Sequence, residues 1–502
     1  MAVVLDQYGN SVSSATRKFL RGADNGGRER PWEQVRLADI DDLVPMFDHQ
    51  TLVYVSRRLY SNMGIVKGAI DQRAMYAIGR AWLPKFKGES VEWGAEAARW
   101  LTDEWFGVCD VRGPSHDWQT GLYLDSVHID RDGDVGIVLT ETGRGYPQIQ
   151  RVPAHQIGYR PGVGVDPKTN RITSGQYGGN RMVNGVIVSA NGRAIGYRIL
   201  GSEADGSRDI DVSERDLIFP YDPSWHDSHR GHPVFAHALN DLRDMLQSQD
   251  WERMAQLAMS AISLIEHNEE GGPDPSDPFN QIRGTAPDGT AVTAHGLSGG
   301  LVRYFRSGSG GKLESIKMDR PGDVWENFWD RLTRSALAGM NWPYSMCWKA
   351  TGQGTAERAD LQRADRAVQD RQDLLKPVAR RIVGYAVSKA IKLKLLPPYP
   401  GKDLGGFLKW DFSTPPRLSI DIGRDSKALI EGWQAGFQTQ TAIVGALGGD
   451  IESHYAERAR EIALRKIAAR DATERYGVEV LPEEMAVFSV PLQQNQPQQA
   501  PE

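Results

Sequence analysis

Residues 341–372 read NWPYSMCWKATGQGTAERADLQRADRAVQDRQ, and their character changes twice within this stretch. A bulky apolar run gives way to Gly352 and Gly354, and a strongly charged segment follows. Glycine tolerates both signs of φ, and the charged segment keeps apolar residues at helical spacing. The stretch therefore predicts a short flexible loop between two helices, with Trp348 and Lys349 at its start.

Two further helices are predicted upstream of this loop. Apolar residues recur every three or four positions over 234–267 and over 324–339. Between them, the glycine-rich run GLSGGLVRYFRSGSGGKLESIKM (296–318) has strand character. Two helices are therefore expected to bracket a small β insert.

The loop is followed by a long helix, predicted over 356–395. Thr355 is its expected N-cap, since a threonine hydroxyl can accept from the first free amides. Pro377 lies inside the helix and should kink it. Beyond it, an extended piece and two C-terminal helices are predicted, and the last residues, PLQQNQPQQAPE, predict disorder.

The earlier part of the chain combines helical and strand patterns. Residues 1–45 are polar and predict an arm, and apolar residues at helical spacing predict a helix over 52–70. Between 117 and 219, glycine-containing turns separate short β-branched runs. In this segment Asn191-Gly192 predicts a hairpin with a two-residue type I′ turn. The whole pattern is typical of an α+β fold.

Composition restricts the class of protein. A chain of 502 residues can hold several cores, and 40% apolar with 25% charged residues is ordinary for a soluble globular protein. Because no apolar run approaches the roughly 18 residues of a membrane span and the start lacks the order of a secretory signal, we expect a cytosolic protein without membrane contact. Cys109 and Cys347 are too few for a disulfide framework. The formal net charge of −6 argues against tight binding of nucleic acid over the whole surface.

One stretch resembles a calcium-binding loop. In DRDGDVGIVLTE, Asp130, Asp132, Asp134 and Glu141 match ligand positions of an EF-hand, but Val135 replaces the glycine that the sharp turn requires. An Asp-Gly hairpin turn is predicted there instead.

Two other stretches suggest ligand binding at first sight. HDSHRGH spaces three histidines by three residues, but Pro223 and Pro233 flank it in a loop, so free polar histidines are predicted. RSGSGGKLES resembles a phosphate-binding loop, yet Arg306 replaces the first glycine and Leu313 replaces the magnesium-binding hydroxyl residue. Because no other catalytic motif is present, we expect no enzyme activity, no cofactor and no metal site.

Six short stretches in a fixed order carry a resemblance to a known family. They are SRRLYSNMGIVKGAIDQRAMYAIG (56–79), RVPAHQIGY (151–159), NGRAIGYRI (191–199), RGHPVFAHALNDLRDM (230–245), LTRSALAGMNWPYSMCW (332–348) and GTAERADLQRAD (354–365). Together with the order of helices and strands over 56–469, they resemble the portal proteins of tailed bacteriophages, most closely the lambda-like family.

The resemblance implies a portal-type subunit with a mixed helical and β wing, two stem helices around a β clip, a long kinked wing helix and a helical crown. The implied parts are an arm (1–45), wing (46–233), first stem helix (234–267), clip (268–319), second stem helix (320–342), tunnel loop (343–355), wing with the long kinked helix (356–423), crown (424–480) and disordered tail (481–502).

The function implied by the resemblance is that of a ring, commonly of twelve copies, at one capsid vertex. Double-stranded DNA would be packaged and ejected through the ring without regard to its sequence. A terminase motor, head-tail adaptors and the major capsid protein would bind to it. The protein would therefore be found in the virion, and in the host cytoplasm during assembly.

The resemblance also implies two groups of contact residues. The tunnel loop would line the DNA channel with Trp348, Lys349, Thr351, Gly352, Gln353 and Gly354. The clip would offer partners a basic docking face of Arg303, Arg306, Lys312 and Lys317. A buried Trp348 and an ordinary solvated clip surface are the alternatives, because exposed charge alone has little specificity.

Two other functions remain open at the level of sequence. A metal-dependent phage nuclease would need a carboxylate pair that binds a divalent metal, for which the aspartates at 130–134 are the only candidates. A minor head or scaffold protein would share the charged helices but would lack the paired helices around a β insert.

Overall fold

The fold combines helices with small antiparallel sheets, which confirms the predicted α+β class. The computed structural model describes residues 39–79, 82–160, 162–201, 208–261, 265–267, 282–285, 291–294, 312–314, 322–348, 354–403, 405–415, 418, 422–446 and 451–482. The helices are α1 (Ile40–Leu43), α2 (Met46–Asn62), α3 (Gly64–Ile78), α4 (Val91–Trp100), α5 (Trp118–Asp132), α6 (Leu239–Ala261), α7 (Asp323–Gly339), α8 (Tyr344–Cys347), α9 (Thr355–Lys392), α10 (Ile422–Gln434), α11 (Gln440–Ala446) and α12 (Ile451–Tyr476).

The strands are short, and each pair formed between two described strands is antiparallel. They are β1 (Pro84–Phe86), β2 (Val135–Glu141), β3 (Pro147–Pro153), β4 (Arg181–Val183), β5 (Val186–Val188), β6 (Ala194–Ile199), β7 (Ile210–Ser213), β8 (Leu217–Ile218), β9 (Ile265–His267), β10 (Ile282–Thr285), β11 (Ala291–Ala294), β12 (Lys312–Glu314) and β13 (Trp410–Phe412).

The chain divides into two compact units, and two of the three boundaries between them fall inside helices, in α3 and in α9. The first unit comprises Met1–Met75 and Val108–Ile382, and contains a sheet of order β3-β2-β8, a sheet of order β4-β5-β6-β7, and the pairs β10-β11 and β12-β9. Val186, Tyr197 and Leu217 pack together in its core. The second unit comprises Tyr76–Gly107 and Val383–Glu502 and contains the pair β1-β13.

Aromatic side chains build the core of the second unit. The ring of Phe86 on β1 lies edge-on to Trp93 at 5.4 Å and to Trp410 at 5.1 Å between centroids. Trp93 also donates from Nε1 to the carbonyl of Pro397 at 2.9 Å. Large aromatic surfaces of this kind stabilise a small unit efficiently, since each buries a large area.

Two consecutive hairpins join the first three strands of the sheet β4-β5-β6-β7. The predicted hairpin at Asn191-Gly192 joins β5 and β6 and is confirmed, but its turn type is wrong. Gly192 has φ 79° while Asn191 has no positive φ, and the Ser189 carbonyl accepts from the Gly192 N–H at 3.0 Å. The connection is therefore longer than a two-residue type I′ turn, and a register shift accompanies it at Ile187/Val188.

A type I′ hairpin does occur one turn earlier, between β4 and β5. Asn184 and Gly185 have φ 46° and 90°, the two positive values that this turn requires. The Asn-Gly pair in RMVNGVIV was therefore the stronger signal of the two, and sequence reasoning overlooked it.

The paired helices were predicted with uneven success. Helix α7 spans Asp323–Gly339, one residue more than predicted. Helix α6 is shorter than the predicted 234–267: residues 234–238 form turns with hydrogen bonds such as Ala238 N–H to the Phe235 carbonyl, and Ile265–His267 is strand β9 paired with β12. The helical prediction was wrong at 265–267, because these residues pair with a strand that lies far away in sequence, and 262–264 lie outside the described residues.

The long helix after the loop matches its prediction closely. Helix α9 spans Thr355–Lys392, against the predicted 356–395, and Pro377 lies inside it. Gly354 rather than Thr355 precedes its first residue, so the N-cap prediction was one residue late. None of the described helices combines the length and apolarity needed to cross a membrane.

Candidate functional site

The candidate site is the junction between α7 and α9, which contains the loop singled out in the sequence. After Gly339, Asn341 adopts φ 56°, a left-handed conformation that asparagine tolerates better than most residues. Trp342 is buried, and its backbone N–H donates to the Leu337 carbonyl at 3.0 Å. These residues redirect the chain from α7 into the short helix α8.

Gln72 on α3 holds the start of the junction through three contacts. Its Nε2 donates to the Met346 carbonyl at 3.1 Å, and its Oε1 accepts from Trp342 Nε1 at 3.4 Å and from Cys347 Sγ at 3.8 Å. Burial raises the pKa of Cys347 to about 11, so the thiol keeps its proton at neutral pH. One amide side chain thereby fixes α8 against α3.

Polar side chains also tie α8 to both neighbouring helices. The Tyr344 hydroxyl donates to Asp330 on α7 at 2.8 Å, and the Arg334 guanidinium lies 4.8 Å from the Tyr344 ring centroid. Burial and the bond to Asp330 raise the pKa of Tyr344 to about 12. Ser345 Oγ donates to Asp360 on α9 at 2.7 Å, so the two sides of the loop are joined directly.

The loop itself is bounded by Trp348 and Gly354. The Trp348 side chain is 62% exposed, and its ring centroid lies 5.4 Å from that of Trp329 on α7. The Trp348 side chain is therefore exposed in the single subunit, and its place in the channel stays a prediction. Gly354 is exposed at φ 39°. The other predicted channel residues lie outside the described residues: Lys349, Thr351, Gly352 and Gln353.

The predicted docking residues of the insert are described only at Lys312. It begins β12 and pairs in register with His267 of β9. The β character expected of the insert is observed in the four described strands, β9 to β12. The remaining predicted docking residues lie outside the described part of the chain: Arg303, Arg306 and Lys317.

The aspartates at the end of α5 do not form a hairpin turn. Helix α5 continues to Asp132, and Gly133 caps it with φ 98°. An Asp-Gly pair suits this position equally well, because the glycine supplies the positive φ with which many helices end. The hairpin prediction was wrong for that reason.

Asp132 is buried and surrounded by cations. It accepts from Nε and Nη2 of Arg57 at 2.9 and 2.8 Å, from the same atoms of Arg131 at 2.9 Å each, and lies 2.7 Å from His128 Nδ1. Burial alone would raise the pKa of Asp132, but the bonds from Arg131, Arg57 and His128 hold it well below its ordinary value. The carboxylate is ionised and has no lone pair left for a metal ion.

The two neighbouring aspartates are also paired. Arg230 donates to both oxygens of Asp134 at 2.6 and 2.9 Å and to three backbone carbonyls. Asp130 contacts Arg371 of α9 and lies 3.5 Å from Arg73. Burial lowers the pKa of Arg371 to about 10, so the arginine remains charged at neutral pH.

The three aspartates that a metal-dependent nuclease would need are therefore engaged by arginines instead of being available to a metal ion. No cluster of three metal-binding side chains occurs within the described residues. The histidines of HDSHRGH behave differently from one another: His226 is exposed, whereas His229 contacts Asp41 at 2.6 Å and the Gly192 carbonyl at 2.8 Å. The expectation of free histidines was therefore wrong for His229.

Comparison with protein families decides between the remaining alternatives. Residues 25–372 match the family model of phage portal proteins of the lambda family. The chain belongs to this family. The match confirms the family inferred from the six stretches and sets aside the scaffold alternative.

Among solved structures, this chain is similar to parts of virus-like particles and to a phage portal protein. The neck of the empty gene transfer agent particle, computed with C6 symmetry, is 12% identical with a TM-score of 0.48, and the virion of the native particle is 11% identical with a TM-score of 0.46. Each comparison covers 79% of this chain and 93% of the other. An HK97-family phage portal protein from Corynebacterium diphtheriae is 8% identical with a TM-score of 0.31, covering 63% and 88%. No curated protein sequence gives a match.

Sequence reasoning missed the residues that hold the junction, above all Gln72, Asp330 and Asp360. The sequence shows only that Gln72 interrupts the apolar pattern of α3; its half-buried position, in which an amide needs partners, is seen in the structure alone. The two aspartates lie in charged helices, where nothing in the sequence distinguishes them from solvated residues.

Proposed function

We propose that this portal protein forms a closed ring, with twelve copies expected, at one vertex of a phage capsid. Membership of the family carries the proposal. Four exposed side chains supply a physical reason for assembly: Trp251 and Met254 on α6 and Val324 and Phe328 on α7 are between 59% and 85% exposed. Exposed apolar surface of this extent on adjacent helices marks an interaction site.

The position of these side chains favours contacts between copies. Helices α6 and α7 pack against each other, and their ends near the β insert carry the exposed residues. The opposite ends are buried through Leu242 and Met245 on α6 and through Ala336 and Leu337 on α7. A head-to-tail contact that closes into a ring gives every exposed face a partner.

The loop between Trp348 and Gly354 would form the narrowest part of the channel. It lies between helices that Gln72 and the Ser345–Asp360 bond hold in place, so both ends of the loop would be supported. Lys349 and Gln353 would make weak contacts to DNA phosphates that are independent of sequence. The pore would be passive, and a separate terminase would supply the energy for packaging.

Other components would bind elsewhere on the ring. The insert, with Arg303, Arg306, Lys312 and Lys317, would be the docking face for terminase and then for head-tail adaptors, and the major capsid protein would surround the ring. The protein would be part of the virion and would occupy the host cytoplasm during assembly. No enzymatic activity is proposed for it.

The ring is tested by electron microscopy of the purified full-length protein. Closed rings with a central hole are expected without any other phage component, because the contact lies between copies of one chain. Fields that contain only single subunits over a wide concentration range would contradict the proposal.

The channel is tested separately by shortening the loop. Deleting residues 350–354 should leave ring assembly intact, since the contacts of Gln72 and Ser345 lie outside the deletion, but should reduce the DNA retained in particles. Lys349→Ala should have a much smaller effect, because one exposed charge contributes little at physiological salt. Normal rings with wild-type DNA content in the deletion variant would refute the role of the loop. They would not contradict the proposal that the protein forms a ring.

A further inference from the structure

A basic pocket lies on the first unit and shares no residue with the junction. It has a volume of about 280 Å³ and is lined by Arg57, Tyr60, Ser61, His128, Arg131, Pro153 and His155. Three elements supply these residues: α2, the last turn of α5, and the end of β3 with the short turn that follows it. Ser56 Oγ donates to the Arg131 carbonyl at 2.6 Å and fixes α2 against α5.

The charges around the pocket do not cancel. Arg57 and Arg131 share the single carboxylate of Asp132, which leaves one positive charge in excess. The nearby pair of Lys67 and Asp71, 2.7 Å apart, adds no net charge. Asp132 is fully buried and all its lone pairs accept hydrogen bonds, so it balances only one of the two arginine charges. The other positive charge remains at the pocket.

Several donors at this pocket have no acceptor among the described residues. Arg131 uses Nε and Nη2 on Asp132, which leaves both N–H groups of Nη1. Arg57 uses one N–H of Nη1 on Nδ1 of His155, at 2.9 Å. This bond makes Nδ1 of His155 the acceptor, and burial with the adjacent Arg57 lowers the pKa of His155, so its Nε2 carries a proton. The Ser61 hydroxyl is exposed and unbonded.

We propose that this basic pocket binds a phosphate group, held by Arg57 and Arg131 with Ser61 and His155 as neutral donors. Guanidinium groups bind phosphate oxygens with strong, charge-assisted hydrogen bonds. Four donor groups from three elements suit a tetrahedral anion better than a carboxylate, which has only two oxygens. The group could belong to free inorganic phosphate or to the DNA backbone, and the proposal does not depend on ring formation.

The test measures binding of inorganic phosphate to the full-length protein by titration calorimetry at constant ionic strength. Saturable binding is expected for the wild type. Arg57→Gln should weaken it by about tenfold or more, the typical effect of losing one charge-assisted hydrogen bond. Arg58→Gln makes the same change in charge on the adjacent exposed residue outside the pocket, and should change the affinity by less than about twofold.

A second variant keeps the Asp132 ion pairs intact. Ser61→Asp adds a negative charge at an exposed position of the pocket and should abolish phosphate binding, whereas Gln150→Glu, on an exposed residue outside it, should not. Circular dichroism of all four variants checks that each is folded. The pocket would thus be tested even if Arg57→Gln proved unstable.

Competition identifies the source of the phosphate. If a short DNA duplex displaces phosphate from the wild type and its own binding falls in Arg57→Gln but not in Arg58→Gln, the ligand is the DNA backbone. If the duplex does not compete, the ligand is free phosphate. The proposal is overturned if the wild type shows no saturable phosphate binding, if acetate binds equally well, or if both arginine variants weaken binding to the same degree.

Discussion

The end of α5 and the helix pair α6–α7 differ in the kind of side chain that they bury and expose. The first buries three aspartates, each paired with an arginine of the same chain, while the second exposes Trp251 and Phe328. A buried charge is tolerated only when its partner is present, and exposed apolar surface is tolerated best when another molecule covers it. The charges at the end of α5 are therefore satisfied within one subunit, whereas the exposed side chains of the helix pair have no cover there, as the proposed ring requires.

The largest effect is expected when one partner of a buried ion pair is removed. Arg230→Met would leave Asp134 buried without its cation, and should lower the free energy of unfolding by about 3 to 5 kcal/mol. Arg243→Met, on an exposed residue of α6, should change it by less than about 0.5 kcal/mol. Both are measured by urea denaturation in a Phe328→Asp background, which is expected to keep the subunit monomeric. Equal effects of the two substitutions would show that Arg230 is not essential to the stability of the subunit.

A second prediction compares the two ends of α6. Leu242 is buried and Met254 is exposed. In the same background, Leu242→Ala should cost about 2 to 5 kcal/mol through loss of buried contacts and the cavity left behind. Met254→Ala should cost less than about 0.5 kcal/mol, because its side chain is already in water. A large loss for Met254→Ala would mean that the subunit itself covers this end of the helix.

A third prediction concerns acid stability. The pKa of Asp132 is held well below its ordinary value, so the unfolded chain takes up this proton first as the pH falls. The stabilisation by ionised Asp132 is therefore fully present above about pH 4 and is lost as the pH falls through the folded pKa. Asp132→Asn should flatten this part of the stability curve, measured by denaturation at a series of pH values. Wild-type and variant curves that run parallel below about pH 4 would contradict the assignment.

Local patterns allowed much of the fold to be predicted from sequence. The bounds of α7 and α9 follow from apolar spacing, and the hairpin predicted at Asn191-Gly192 is present. The errors arose where the same local sequence pattern is compatible with two different structures. Asp132-Gly133 ends a helix instead of turning a hairpin, and Ile265 pairs with a strand distant in sequence instead of extending α6.

The candidate site was less predictable than the fold. The glycines of the loop were visible in the sequence, but its supports depend on contacts between distant residues, such as Gln72 with Met346. The pairing of Arg371 with Asp130 joins α9 to α5 across a similar separation. Periodicity within one element carries no information about such contacts, because they are set by how the elements pack.

The most direct test of the central claim is the mass of the assembly formed by the full-length protein. Native mass spectrometry of the wild type should show a closed oligomer, with twelve copies expected. Phe328→Asp should reduce it to folded single subunits, because a charge would replace the exposed ring, while Asn327→Asp on the adjacent exposed residue should leave the oligomer intact. A wild type that remains monomeric, or a Phe328→Asp variant that assembles as the wild type does, would contradict the claim that the helix pair is completed by neighbouring copies.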